Sequence, residues 1–206
     1  MNYPYKLGVG LLPTVSSQNK IYQLVNELKK TIPLAFAAQS DVSISHLTLF
    51  QGKFEFEQVV HKVIEQLEAP KNINQLMVKN LSIWAEKIIF LDFYNTAVSQ
   101  QFHEQIFNIL FPICEGKSAD PQAFTDISQD EQTSFDKIGY PFSLKAYKPH
   151  ITLAHIKVDQ INKPILLPIP DFKIVEFESL VVYKVEELGA CREFIYKRLI
   201  NNSAGT

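Results

Sequence analysis

The sequence has few of the residues that define several large classes of protein. Its 206 residues include two cysteines, Cys114 and Cys191, which stand far apart and form no CxxC pair. This excludes a disulfide-rich scaffold and a zinc-finger spacing, and it predicts two reduced thiols. There are seven glycines, and none of them builds a GxGxxG or Walker A phosphate loop. The pair Gly8 and Gly10 lies inside a predicted strand and lacks the third glycine.

Charge and long apolar runs are also scarce. Charged residues make up 20% of the chain and the formal net charge is -2, so no broad basic face exists for long nucleic acid. No stretch approaches the ~20 apolar residues of a membrane span. The run from Leu7 to Leu12 is too short for a signal-peptide core and has no charged leader. We therefore expect a soluble, cytoplasmic protein, and we expect it to be a monomer.

The motifs of common hydrolases are absent as well. No serine lies in a G-x-S-x-G elbow, and "HEQIF" at His103 lacks the second histidine of a metalloprotease helix. His61 and His103 fall on predicted helices beside the apolar stripes, so we expect both on the surface. Any catalytic chemistry would therefore come from another arrangement of side chains.

Hydrophobic periodicity predicts an α+β fold with largely antiparallel sheets, because several strands alternate and are mixed with amphipathic helices. Residues 115–140 are polar, acidic and rich in turn residues, which predicts a surface loop with room for one short helix. The chain ends with two long predicted strands joined by a turn at Gly189. The other predicted strands are "YKLGVGLLP", "VSISHLTLF", "NQLMVKNLSIW", "KIIFLDFY" and "KPHITLAHIKV".

The most informative feature is a His-x-Thr pattern that occurs twice, in a chain with only five histidines. "HLTLF" begins at His46 and "HITLA" begins at His150. Successive side chains on a strand point to opposite faces, so each strand presents one imidazole and one hydroxyl side by side, with apolar residues behind. A single copy carries little information, because a lone histidine on a strand is usually structural. The pairing of the two copies carries the signal.

Two such strands brought together would surround one phosphate group. A neutral imidazole could take a proton from water, and a charged imidazole could give a proton to a leaving ribose oxygen. The hydroxyls of Thr48 and Thr152 could donate to the non-bridging oxygens, where transition-state charge gathers. This scheme needs no metal and no cofactor.

The sequence resembles the two-histidine (2H, HxTx) phosphoesterase superfamily, and most of all its bacterial RNA 2′-5′ ligase and cyclic phosphodiesterase branch. "HLTLF" and "YKPHITLAH" carry the resemblance, which extends over nearly the whole chain. It implies one domain, residues 1–206, of two lobes related by pseudo-twofold symmetry, each with an antiparallel sheet and outer helices around a central cleft. The motif strands would lie around 43–50 and 149–157. Because residues 115–140 are polar and lead directly into the second motif strand, we expect them to form a mobile loop that borders or covers the cleft.

The resemblance also implies the residues and the reactions of the site. His46 and His150 match the catalytic histidines of the family, and Thr48 and Thr152 match its motif threonines. The implied reactions are opening of 2′,3′-cyclic phosphates of nucleotides or RNA ends and, in some members, weak reverse 2′-5′ ligation. Many members carry arginine where this chain has His155, and this difference weakens the expectation of ligation more than that of hydrolysis.

Three further residues are candidates for substrate binding. Tyr147 could stack on a base, Lys148 could hold phosphate, and Phe50 shares the face of His46 and Thr48 by alternation, so it could line the cleft. Each has a structural alternative, and for Phe50 the core is the favoured place.

Other functions remain open at this stage. The fold could serve as a non-catalytic nucleotide-binding module, or the enzyme could act on 2′-5′ oligoadenylate or cyclic dinucleotides. A metallohydrolase using His46, His150 and His155 is disfavoured, because alternation turns His155 away from His150 and no carboxylate is suitably spaced.

Overall fold

The structure, a computed structural model, describes residues 5–39, 43–117, 127–161, 164–186 and 190–200. It confirms the predicted α+β class. Four helices are described, α1 (Val15–Thr31), α2 (Phe56–Gln66), α3 (Ala97–Leu110) and α4 (Gln129–Ile138). The strands of the described ranges are β1 (Tyr5–Pro13), β2 (Leu34–Ala37), β3 (Leu47–Phe54), β4 (Gln75–Trp84), β5 (Ile88–Phe93), β6 (His150–Ile156), β7 (Ile174–Lys184) and β8 (Phe194–Leu199).

These strands form two halves, and every described pairing between them is antiparallel. One half has the order β3, β1, β7, β8, and the other has the order β2, β6, β5, β4. The halves join where Leu47 of β3 pairs with Ile151 of β6. They join again where β4 pairs with the beginning of β7. The two expected sheets are thus hydrogen bonded into one eight-stranded arrangement.

The helices bury one apolar face each against this arrangement. Helix α1 begins at Thr14, whose side chain accepts a hydrogen bond from the Ser17 amide, 3.3 Å away. Its buried residues follow helical spacing, and they include Ile21, Val25 and Leu28. No helix of the described residues is both long and apolar enough to cross a bilayer.

The two motif strands share an irregularity at the same position of the motif. Along β1 the partner of Val9 is Phe50 and the partner of Gly10 is Thr48, so Leu49 is skipped. Along β5 the partners Ala154 and Thr152 likewise skip Leu153. One extra residue in a strand bends it and re-aims the side chains that follow. This matched irregularity is a structural sign of the internal symmetry that the repeated motif suggests.

The region predicted as a surface loop, 115–140, holds a well-capped helix over its second half. Helix α4 begins with a capping box between Ser128 and Glu131 and ends at Gly139, which adopts a left-handed conformation (φ 70°). Ser134, Phe135 and Ile138 of the helix are buried. Because the region is mostly polar, its sequence did not reveal the short buried face of this helix. Residues 118–126 lie outside the described residues, as does the predicted turn at Gly189.

Two strand predictions also need correction. The first motif strand begins at Leu47 rather than near residue 43, so His46 lies just before it. Strand β2 was not predicted, because four residues are too short to establish a period. It pairs with the end of β6, where Phe36 is the partner of His155.

His103 was expected on the surface, and that expectation is wrong. The residue is fully buried on the inner face of α3. Its Nδ1 lies 2.8 Å from the carbonyl oxygen of Leu49, and its Nε2 lies 2.8 Å from the amide nitrogen of Leu144. Nδ1 therefore donates and Nε2 accepts, which defines a neutral imidazole. Burial lowers the pKa of His103 from 6.5 to about 4, although the bond to Leu49 opposes this.

We expect acid to destabilise the fold through His103. Below pH 6.5 the unfolded chain binds a proton at this residue while the folded protein keeps it neutral, so the free energy of unfolding falls until about pH 4. One such proton corresponds to a slope of about 1.4 kcal/mol per pH unit. Urea unfolding of His103→Gln, which cannot titrate, should show a flatter pH dependence than wild type.

The exposed His61 provides the matched control for this measurement, because its side chain is 66% accessible. His61→Gln should keep the wild-type slope. If His103→Gln and wild type lost stability in parallel between pH 6.5 and 4, His103 would not be a neutral buried group.

Candidate active site

The two His-x-Thr motifs meet where the halves of the fold join. Leu47 of β3 is the antiparallel partner of Ile151 of β6. Continuing this register by one residue on each side places His46 toward Thr152 and His150 toward Thr48. The four polar side chains thus surround one region between the two strands. His46, Thr48 and His150 are each less than a tenth exposed, and Thr152 is half-buried.

Both imidazoles are oriented by the same local contact. Nδ1 of His46 lies 2.9 Å from the carbonyl oxygen of Ile44, and Nδ1 of His150 lies 2.6 Å from that of Lys148. A carbonyl oxygen can only accept, so each Nδ1 carries the proton and donates it. In the neutral ring this leaves Nε2 as the basic nitrogen. Both histidines are therefore held in the tautomer that acid–base work through Nε2 requires.

Burial keeps both imidazoles neutral in the free protein. Loss of hydration lowers the pKa of His46 from 6.5 to about 4. Burial lowers the pKa of His150 further, to about 3, with smaller contributions from the positive charge of Lys148 and from His46. The two imidazoles are thus close enough for a charge on His46 to lower the pKa of His150. An anion placed between them would raise both pKa values.

Each imidazole rests on an aromatic ring supplied by the neighbouring strands. The ring of His46 packs on Tyr183 of β7, with 4.3 Å between ring centroids. The ring of His150 packs on Phe90 of β5 at 4.0 Å and meets the edge of Phe142 at 4.7 Å. These contacts restrict the orientation of both imidazoles.

The two threonines differ in their surroundings. The hydroxyl of Thr48 lies 2.9 Å from the hydroxyl of Tyr183, and it also bonds the hydroxyl of Tyr140. Thr152 is more exposed and has Phe90 as its strand partner. The pseudo-symmetric halves therefore present one threonine within a hydroxyl cluster and one beside an apolar ring.

Lys148 places its ammonium group close enough to His150 to lower the pKa of that imidazole. Its Nζ lies 3.5 Å from Asp92 Oδ2 and 3.4 Å from Ser82 Oγ, and it stands over the Phe90 ring at 5.7 Å. Asp92 is buried and is the strand partner of His150. The side chain of Lys148 remains 39% exposed, so it is accessible to a ligand.

Two of the predicted substrate-binding residues are packed inside the protein instead. Tyr147 is 5% exposed and its ring stacks on His103, 4.1 Å away and nearly parallel. Phe50 is fully buried against Phe54 and Phe107. The core was the favoured place for Phe50, and the irregularity at Leu49 accounts for it, because it breaks the alternation that would put Phe50 beside Thr48.

His155 also packs within the fold. It is buried, and the edge of its ring meets Phe36 of β2 at 5.5 Å. The partner of His155 on β5, Ile88, lies on the same face as Asp92, the partner of His150. The irregularity at Leu153 therefore breaks the alternation that was expected to turn His155 away from His150. Across the described ranges, no three or more His, Cys, Asp or Glu side chains are grouped as metal ligands would be.

Sequence reasoning missed several residues of the site. Asp92, Tyr140, Phe142 and Tyr183 come from segments outside both motifs. Tyr183 ends the apolar run "SLVVY", which reads as an ordinary core strand. The only signal in the sequence for Tyr183 was the pair of glycines in β1. Because glycine has no side chain, this pair leaves space beside the strand for a large side chain from a neighbouring strand.

Comparison with known proteins identifies the fold. No family model and no curated protein sequence matches this chain. Among solved structures, a phosphoesterase is similar with a TM-score of 0.61 and 14% identity, over 96% of this chain and 98% of that one. TT0787 of Thermus thermophilus has a TM-score of 0.62 and 13% identity, over 95% and 97%. E. coli LigT complexed with phosphate has a TM-score of 0.58 and 15% identity, over 97% and 99%. This chain therefore has, over nearly its full length, the fold of LigT and of these other proteins.

Proposed function

We propose that this protein is a 2H-type phosphodiesterase that opens 2′,3′-cyclic phosphates of nucleotides or RNA ends. His46 and His150 act as the general acid–base pair, and Thr48 and Thr152 bind the phosphate oxygens. The proposal places the chain in the branch of the family that contains RNA 2′-5′ ligases and cyclic phosphodiesterases.

One observation carries this proposal. Two histidines from distant parts of the chain approach each other at one strand pairing, and each donates Nδ1–H to the carbonyl oxygen two residues before it. A structural histidine needs no such duplicate. The repeated orientation leaves two basic Nε2 atoms for one substrate group, which is what an in-line displacement at phosphorus uses.

The reaction requires one neutral and one protonated imidazole. The neutral Nε2 takes a proton from water as the water oxygen forms a bond to phosphorus. The bond from phosphorus to one ribose oxygen then breaks, and that oxygen receives a proton from Nε2–H of the other histidine. The products are a phosphomonoester and a free hydroxyl on the neighbouring carbon, and the pair has exchanged its protonation states.

The substrate itself supports the required protonation state. Both imidazoles are neutral in the free site because burial disfavours their charged forms. The anionic cyclic phosphate between them favours one charged imidazole, so binding of substrate and uptake of a proton are coupled. The threonine hydroxyls donate to the non-bridging oxygens, whose charge increases in the transition state.

The electrostatics favour different roles for the two histidines. Lys148 lowers the pKa of His150 in addition to burial, while no such cation contributes to the pKa of His46. His150 is therefore the imidazole that stays neutral, which suits the general base. His46 is then the group that carries the proton to the leaving oxygen.

A small substrate is favoured over long RNA. The cation established beside the motif pair is Lys148, and it is paired with the buried Asp92. LigT has been crystallised with phosphate and with 3′-AMP, and ligands of that size suit a site with two threonine donors and one lysine. His155 stands where many relatives of this branch carry arginine, and it is buried against Phe36, so ligation is not part of the proposal.

We expect either His46→Ala or His150→Ala to lower kcat for a 2′,3′-cyclic nucleotide by about a hundred- to ten-thousand-fold. The double variant should be little worse than either single variant, because each histidine is ineffective without the other. ³¹P NMR of the reaction mixture measures turnover. It also shows whether ring opening leaves the 2′-phosphomonoester or the 3′-phosphomonoester.

His61→Ala is the matched control, because it removes an exposed histidine from α2. It should keep wild-type activity. A folded double variant with near wild-type turnover would contradict the mechanism. Wild-type protein that binds the nucleotide without converting it would instead indicate a binding module.

Replacement of Lys148 tests the assignment of base and acid. Lys148→Gln removes the positive charge that lowers the pKa of His150, so that pKa should rise. If His150 is the base, the acidic limb of the bell-shaped pH–rate profile should move to higher pH, because a neutral His150 then requires more alkaline conditions. Lys145→Gln, at an exposed position nearby, should leave the profile unchanged. Movement of the basic limb alone would reverse the assignment.

A further inference from the structure

We infer that Tyr183 is a positioning residue for the reaction proposed above, acting through Thr48 and His46 without touching the substrate. Its hydroxyl would direct the Thr48 hydroxyl proton toward the phosphate, while its ring supports the imidazole of His46. This inference rests on the proposed function and assigns a task to a residue that lies outside both motifs.

The contacts of Tyr183 lead to this assignment. The residue is fully buried, so it is not available as a ligand for substrate. Its hydroxyl lies 2.9 Å from Thr48 Oγ1, and its ring centroid lies 4.3 Å from that of His46. One side chain, 135 residues away in sequence, therefore contacts both members of the first motif.

Two glycines of β1 make this contact possible. β1 lies between β7 and β3, with Gly8 opposite Tyr183 and Gly10 opposite Thr48. A Cβ atom at Gly8 would stand 2.2 Å from Cζ of the Tyr183 ring, and one at Gly10 would stand 2.3 Å from the carbonyl oxygen of Leu47. The tyrosine thus reaches across β1 through space that any other residue at Gly8 would fill.

The chemistry of the hydroxyls sets the direction of the bond. Burial raises the pKa of Tyr183 well above its usual range, so the phenol keeps its proton. The Gln51 side chain also bonds the phenol, and its amide can donate to the phenol oxygen. A phenol is a stronger donor than an aliphatic alcohol, so Tyr183 donates to Thr48. Burial also keeps the phenol of Tyr140 protonated, and this phenol can donate to the second lone pair of the same Thr48 oxygen. The Thr48 proton is then left for another acceptor, which the phosphate oxygen supplies.

The second motif has an apolar ring in the corresponding place. His150 packs on Phe90, which has no hydroxyl, and Phe90 is also the strand partner of Thr152. The two pseudo-symmetric threonines should therefore contribute unequally, with Thr48 oriented in advance and Thr152 free to rotate. We expect Thr48→Val to lower kcat more than Thr152→Val does.

The test is a double-mutant cycle on the full chain with a 2′,3′-cyclic nucleotide as substrate. Tyr183→Phe keeps the ring and removes only the hydroxyl, so kcat should fall on the order of tenfold with KM nearly unchanged. In the Thr48→Val background the same change should have no effect, because the group that Tyr183 orients is gone. Tyr22→Phe, which removes a hydroxyl on α1, is the control and should match wild type.

The outcomes separate this inference from the proposed function. If wild type turns over no cyclic nucleotide, the proposed function fails and the inference fails with it. If wild type is active and Tyr183→Phe is equally active, or if the two substitutions lower kcat additively, only the inference is overturned. Should Tyr183→Phe not fold, Thr48→Ser decides, since it keeps a hydroxyl within reach of Tyr183. It should then be clearly more active than Thr48→Val, and equal activities would overturn the inference.

Discussion

The candidate site depends on one backbone pairing between distant strands. Leu47 and Ile151 are antiparallel partners, and this contact joins the two halves of the fold. The histidine of each motif immediately precedes its partner residue, so the pairing that connects the halves also brings the two imidazoles together. A shift of one residue in this register would turn one motif away from the other. The matched irregularities after Thr48 and Thr152 give both motif strands the same local bend.

Burial then sets the protonation state of the two histidines. An exposed histidine would be partly charged near neutral pH, whereas His46 and His150 are kept neutral by loss of hydration. The carbonyl oxygens of Ile44 and Lys148 fix the proton on Nδ1 of each ring. In the proposed reaction neither ring can act as an acid until its pKa is raised, and the anionic phosphate of the substrate raises it.

Repeated motifs and hydrophobic periodicity allowed correct predictions from the sequence. Predictions failed for residues whose position depends on a single contact with a distant part of the chain. The duplicated His-x-Thr pattern identified the four residues at the junction, and periodicity identified the α+β class. For Phe50 the alternative of lining the cleft stayed open, although the core was favoured, because strand alternation cannot anticipate an extra residue at Leu49. His103 was read as exposed because its two backbone partners, Leu49 and Leu144, are remote in sequence. Tyr183 was missed because only the packing of its ring against Gly8 distinguishes it from an ordinary core residue.

The most direct measurement is an NMR titration of the imidazole Cε1–H resonances of His46 and His150 with 3′-AMP, the product-like ligand. The account predicts that both resonances shift together, with one dissociation constant and one ligand per chain, and that both move toward the protonated position, since an anion between the rings raises both pKa values. The exposed His61 should not respond. A shift at only one of the two histidines, or two independent binding curves, would contradict the claim that they share one phosphate.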